Sequence, residues 1–269
     1  MVEASENAPL TTNSRAPRSG FCVTTRILFE NTALPAMNMN TPPLKIEPEN
    51  DEDLLVKRQV RECALAHDVS RDISVTYFQM AEAGMEHQWK RDIWPRIKDF
   101  DFSVTLDLAA GHGRNSEMLK TLAGEIYIVD VNQSCIDACK ARFGDTDGKC
   151  RFHYIVNDGY SLKEIPDSSI TAVYSWDAMV HFDKLVVKRY IAEFARVLKN
   201  GGKAFFHHSN YGHVSPEDNW CANPGWRTNT TREFVAECIQ SFGLQSISQD
   251  ALDWKGSAFD AITICSKAR

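Results

Sequence analysis

Apolar residues recur along this chain with two periods, and the switch between them divides it. Between residues 54 and 97, Tyr77, Met80, Ala81, Gly84, Met85, Gln88 and Trp89 fall three and four apart, until Trp94-Pro95 breaks the run. That spacing builds one face of a helix. From Ser103 onward, short β-rich runs take over at 104–108, 126–130, 152–156, 170–175, 203–208, 244–249 and 258–265. Helical segments near 116–122, 133–143, 185–198 and 231–242 separate them. Such alternation builds an α/β fold, a parallel sheet covered on both faces by right-handed crossovers. Only 251–257 joins the last two strands, too short for a crossover helix, so they form an antiparallel hairpin at one edge. Residues 53–99 read as an N-terminal helical cap whose aromatic stripe packs on the domain at 100–269, with a ligand-lining face as the lesser alternative.

Residues 1–52, rich in Asn, Thr, Pro and Ser, show no sustained period and read as a disordered arm. Within it Arg15, Arg18 and Arg26 stand without an acid between 7 and 29, which faintly resembles an organelle transit peptide. Glu3 and Glu6 oppose that reading, and Met37 or Met39 could equally be the start.

Composition narrows the function classes. At 269 residues and 43% hydrophobic content, one catalytic domain with appendages is the economical reading. Thirty Lys+Arg against 36 Asp+Glu give a net charge of −6, which disfavours a nucleic-acid substrate. No stretch approaches the roughly 20 apolar residues of a membrane span, and the N-terminus lacks the order of a secretory signal. A cytoplasmic protein is expected. The eight cysteines are scattered without a C-x-x-C pair; Cys135 and Cys139 could share a helical face, but two further ligands are missing, so no metal is expected.

The segment Asp107-Leu108-Ala109-Ala110-Gly111-His112-Gly113-Arg114-Asn115-Ser116 puts a glycine turn between the first strand and its helix. Gly111 and Gly113 allow close approach of backbone to a ligand. Asp107 would repel a pyrophosphate but attract the ammonium of an amino-acid-bearing ligand, and Ser116 stands where a dinucleotide site has its third glycine. Twenty-three residues beyond Asp107, Asp130 ends an apolar strand, placed to accept from both hydroxyls of a ribose. An ordinary turn aspartate is the plainer alternative. The next strand ends in Asn157-Asp158-Gly159, where Asp158 could accept from an adenine amino group. The fourth ends at Ser175-Trp176-Asp177, at the mouth of the cleft.

With these residues in place, the chain resembles the class I methyltransferases that use S-adenosylmethionine (SAM), in their small-molecule group. The likeness runs through Asp107–Gly113, Val129-Asp130-Val131-Asn132, Asn157-Asp158 and the turn Leu198-Lys199-Asn200-Gly201-Gly202-Lys203, over about residues 100–267. Ala109 stands where the family has glycine, which would narrow the methionine pocket. The resemblance implies a Rossmann-like sheet of seven strands in the order 3-2-1-4-5-7-6. It also implies a SAM site made of Asp107, Ala109, Gly111, Gly113, Arg114, Asp130, Val131, Asn157, Asp158, Gly159 and Ser175, and a small-molecule acceptor methylated at oxygen or nitrogen. A SAM-binding scaffold without turnover and a protein methyltransferase are the alternatives; a nicotinamide enzyme is opposed by Asp107 and Ser116.

In-line transfer from a sulfonium asks the protein mainly to place a nucleophile, with a general base where the acceptor needs one. Asp177 and His181 are four apart, so a helix would stack them as an oriented pair. A capping aspartate and a satisfied histidine are the alternative. His207 and His208 end the fifth strand and point to opposite faces, so at most one faces the cleft; His208 is the second candidate base. Trp176, and Tyr211, Trp226 and Arg227 on the long loop 209–230, are candidates to hold the acceptor.

Overall fold

The computed structural model describes residues 50–68, 72–215, 225–254 and 257–269. The arm expected over 1–52 lies outside them except for its end. There the Asn50 side chain accepts from the Asp53 N–H at 2.7 Å, and Asp51, Glu52 and Asp53 fill the first turn of α1 (Asp51–Ala66). A side-chain cap and acids at the positive end of the helix dipole fix that start. The helix α2 (Asp72–Gln88) runs into a π turn at Trp89–Ile93 and then α3 (Trp94–Ile97). The break expected at Trp94-Pro95 is therefore corrected. Pro95 sits in the first turn of a new helical segment, where a missing N–H costs little.

The strands are β1 (Val104–Leu108), β2 (Glu125–Asp130), β3 (Thr146–Asp147), β4 (Cys150–Val156), β5 (Ile170–Ser175), β6 (Leu198–Ser209), β7 (Leu244–Trp254) and β8 (Ser257–Lys267). They form one sheet in the order β3-β4-β2-β1-β5-β6-β8-β7. β1 pairs in parallel with β2 and β5, β4 with β2, and β6 with β5, while β8 runs antiparallel to both β6 and β7. The order of the seven expected strands is the observed one. The eighth, β3, is a two-residue hairpin partner of β4 around Gly148, whose φ of 61° suits glycine. Its Asp- and Gly-rich sequence reads as a turn. β6 also begins earlier than expected, because Leu198 pairs with Ile170 and a bulge carries the glycine turn into the ladder.

Between the strands lie α4 (Arg114–Leu119), α5 (Gln133–Phe143), α6 (Lys184–Val197) and α7 (Arg232–Ser241). α6 shows why these segments are helical: Val186, Val187, Tyr190, Ile191, Phe194 and Val197 make one buried stripe, and Asp183 caps the Leu185 N–H. Alternate residues along the strands feed two cores. Leu106, Leu108, Val173 and Phe206 pack with α6 and α7, while Ile126, Ile128, Tyr174 and Phe205 pack with Trp89, Ile93, Leu119 and Ile136.

Candidate active site

The order of the sheet reverses between β1 and β5, and a crevice opens outside the carboxyl ends of strands at such a switch. Here that crevice is a pocket lined by the ends of β1, β2, β4 and β5 and by residues of α1 and α2. Among the expected SAM residues, Ala109, Gly111, Arg114, Asp130, Val131, Asn157 and Gly159 line it. Ala109 (φ 56°) and Gly111 (φ 57°) turn the loop in the left-handed region, and a Cβ on Gly111 would meet Phe78 at 2.7 Å. The Gly111 N–H donates to Asp130 Oδ2 at 2.9 Å and the Asn132 N–H to Oδ1 at 2.9 Å, so loop and carboxylate hold each other. Burial raises the Asp130 carboxyl above its usual range, against these bonds. Asn157 is aimed by its Nδ2 bonds to Ser161 O and Tyr190 Oη.

Four expected SAM residues do not line the pocket. Asp107 is wholly buried behind the loop, where Ser116 Oγ donates to its Oδ2 at 2.6 Å and burial pushes its carboxyl up to about 7. It braces α4 on β1 from there. Gly113 caps α4 with φ 78°, and a Cβ there would meet Phe143 at 2.6 Å, so it serves the packing of α5. Asp158 accepts from Tyr160 N, Ser161 N and Ser161 Oγ, which turns its carboxylate into its own loop. Ser175 Oγ donates to Leu108 O, tying β5 to β1.

At the other end of the pocket lie Trp176, Asp177 and His181. Trp176 is buried against Phe205 and His207, and its Nε1 donates to Gln88 Oε1 at 3.2 Å. The helix expected to stack Asp177 and His181 is absent: Asp177 has φ 60°, and only the short turn Met179–His181 follows. Asp177 is engaged instead by Arg114 Nη2 at 2.8 Å and Tyr77 Oη at 2.5 Å, both on its Oδ2. Burial opposes its charge, but Arg114, His207 and the tyrosine bond outweigh burial and hold the carboxyl below its usual range. His181 is buried, packs against the His67 ring at a tilt of 41° with ring centres 4.5 Å apart, and shares its Nδ1 with Trp226 O at 3.1 Å. Burial, then the neighbouring His67, push its imidazole down to about 3. That is too low for a base poised at neutral pH.

The strand parity of the two histidines resolves against His208. It lies on the α6 and α7 side, bonded to Ser209 O and Thr263 Oγ1, with burial lowering it to about 4. His207 takes the cleft side, behind Trp176, with Nε2 3.3 Å from Asp260 Oδ2. The loop residues are structural among the described residues. Arg227 makes a two-bond fork on Asp260, which His207 and Arg227 hold down at about 2 against burial. Tyr211 packs edge-on against Trp226 and Phe259, and none of Tyr211, Trp226 and Arg227 lines the pocket. Residues 216–224 of that loop lie outside the description.

Sequence reasoning missed the roof. Val60, Cys63, Ala64 and His67 of α1 and its end, and Tyr77 and Phe78 of α2, all line the pocket. Their helical spacing signals a face that must be covered, and part of that face is turned to the pocket. Among the described residues no helix is long and apolar enough to cross a membrane, and no three His, Cys, Asp or Glu residues are grouped to hold a metal ion.

Residues 105–202 match a family model described as a methyltransferase domain. No curated protein matches the chain. Among solved structures, it is similar to a SAM-dependent methyltransferase of Leishmania major, with TM-score 0.59 at 10% identity over 77% of this chain and 83% of that one. It is also similar to a chain of the complex between the Haloferax volcanii Trm112 methyltransferase activator and a methyltransferase (TM-score 0.56, 17% identity, 77% and 97% covered). A SAM-dependent methyltransferase of Methanosarcina mazei gives TM-score 0.51 at 16% identity, with 66% and 99% covered.

Proposed function

We propose that this chain, whose residues 105–202 match a methyltransferase-domain model, is a class I SAM-dependent methyltransferase that moves the methyl group of SAM to an oxygen or nitrogen of a small-molecule acceptor. The observation that carries the reading is one roofed pocket holding both the strand-end carboxylate of Asp130 and the guanidinium of Arg114, whose buried Nη1 has no hydrogen-bond partner among the described residues. An unpaired buried donor is costly, and a carboxylate is the ligand group that best relieves it. Arg114 would take the carboxylate of SAM, and Asp130 has lone pairs left for the ribose hydroxyls. Val131, Asn157 and Gly159 would flank the adenine. When bound, SAM supplies a methyl on a positively charged sulfur, a leaving group that needs no activation.

The protein's own contribution is placement and exclusion of water. The roof of α1 and α2 favours an acceptor small enough to enter beneath it. To test this, methyl-labelled SAM is added with the chain to a cell extract, which is then split by size. Label in the small-molecule fraction is the expected result. Label in the protein fraction overturns the acceptor class, and binding of SAM with no label transferred to any fraction favours a scaffold without turnover.

A further inference from the structure

We infer that the methyl acceptor is an amine nitrogen whose N–H is held by the open Oδ1 of Asp177, an inference that rests on the methyl-transfer reading above. Both donors that reach Asp177, the Tyr77 hydroxyl and Arg114 Nη2, are spent on Oδ2. Among the described residues no donor reaches Oδ1, and the side chain keeps 15% exposure in a pocket it lines. The geometry is held, not incidental. Asp177 occupies the left-handed region at φ 60°, a conformation uncommon for a side-chain-bearing residue that persists where its surroundings hold it. Those surroundings come from two separate elements, α2 and α4.

A carboxylate fixed this way orients a nucleophile better than it deprotonates one. Two donors on Oδ2 stabilise its charged form and weaken it as a base. The other candidate, His181, has Nδ1 committed to Trp226 O and an imidazole pushed down to about 3. A hydroxyl acceptor would need its proton removed by one of these groups. An amine that arrives as an ammonium gives its proton to water before it binds, and the neutral form then needs no base in the site. An N–H directed at Oδ1 leaves the nitrogen lone pair aimed away from the carboxylate. The N–CH3 bond forms from that lone pair as the S–CH3 bond breaks with its electrons left on sulfur. Positive charge moves from sulfur to nitrogen beside Asp177, which stabilises it where it develops. The proton stays on nitrogen through the transfer and passes to water from the product ammonium. An anionic acceptor would meet Asp177 as a like charge.

The test supplies the full chain with SAM bearing an isotope-labelled methyl and a pool of small metabolites, and reads the bonding of the transferred methyl by nuclear magnetic resonance. An N-methyl product is expected; an O-methyl or S-methyl product overturns the proposal. Asp177→Asn should turn its oxygen to Tyr77 and Arg114 and its amide NH2 to the pocket. Product should then appear about 10²-fold more slowly, while SAM affinity by calorimetry changes less than about twofold. A loss of SAM affinity instead would make Asp177 a partner of the SAM ammonium and end its acceptor role. Should Asp177→Asn fail to fold, Tyr77→Phe carries the same comparison: looser placement of Asp177 raises KM for the acceptor at unchanged SAM affinity, and an unchanged KM contradicts the inference. A wild-type chain that does not bind SAM is a different failure, of the methyl-transfer reading itself.

Discussion

Burial decides which residues of this site are charged. His208 is fully enclosed, with Ser209 O accepting from Nδ1 and Nε2 paired to Thr263 Oγ1, and burial lowers its imidazole from 6.5 to about 4. Between those values the unfolded chain binds a proton on it and the folded chain does not, so stability falls as pH falls through that window. The slope is up to about 1.4 kcal/mol per pH unit for one histidine. Asp107, raised to about 7 by burial, works in the opposite sense there, so the whole-protein slope mixes the two. The contribution of His208 is therefore read as a difference: His208→Gln should lose less stability than wild type when urea midpoints at about pH 7 and about pH 5 are compared. Equal losses would contradict a neutral, buried His208.

Single residues were unevenly legible. Asp130 was legible as a pocket residue because it ends an apolar strand after a glycine loop, and the pocket lies at that strand end. Asp158 ends a strand in the same way, yet Ser161 and Lys163 just downstream capture its carboxylate, and nothing in strand period reveals which way such a side chain turns. Parity said that at most one of His207 and His208 faces the cleft; only the packing of Phe206 beside α6 says which.

At the scale of elements, the roof depends on a glycine. Gly159 has φ 82°, and a Cβ there would lie 2.3 Å from Val60 of α1 and 3.2 Å from Val131. Gly159→Ala should cost about 1–2 kcal/mol for the left-handed backbone and should also push α1 off the pocket, weakening SAM binding. The two effects separate in a double variant, since Val60→Ala on top of Gly159→Ala relieves the contact but not the backbone cost. Recovery of SAM affinity by thermal-shift titration, with the melting temperature still low, is expected. No recovery would mean that Val60 does not roof the site. The helical period of 54–97 announced a packed cap but not a wall of the pocket, because a face turned to a ligand and a face turned to a core need the same apolar residues.

For the whole molecule, alternation of strand and helix was enough to place the parallel sheet and the short last link its antiparallel edge, while the strand order, with its switch between β1 and β5, was legible only through the family resemblance. The brief β3 and the early start of β6 were hidden in turn-like sequence, where glycine serves a bulge as readily as a loop. What the sheet cannot reveal is the chemistry it carries, since this architecture hosts many reactions. The central claim is that the pocket at the switch holds SAM through Asp130, and calorimetric titration of SAM into wild type, Asp130→Asn and Asp158→Ala tests it most directly. Wild type should bind. Asp130→Asn should lose about 1.5–3 kcal/mol, the usual worth of hydrogen bonds to a charged group, and Asp158→Ala, whose carboxylate serves its own loop, should lose little. A folded Asp130→Asn that binds SAM as wild type does, or a loss confined to Asp158→Ala, would contradict the account.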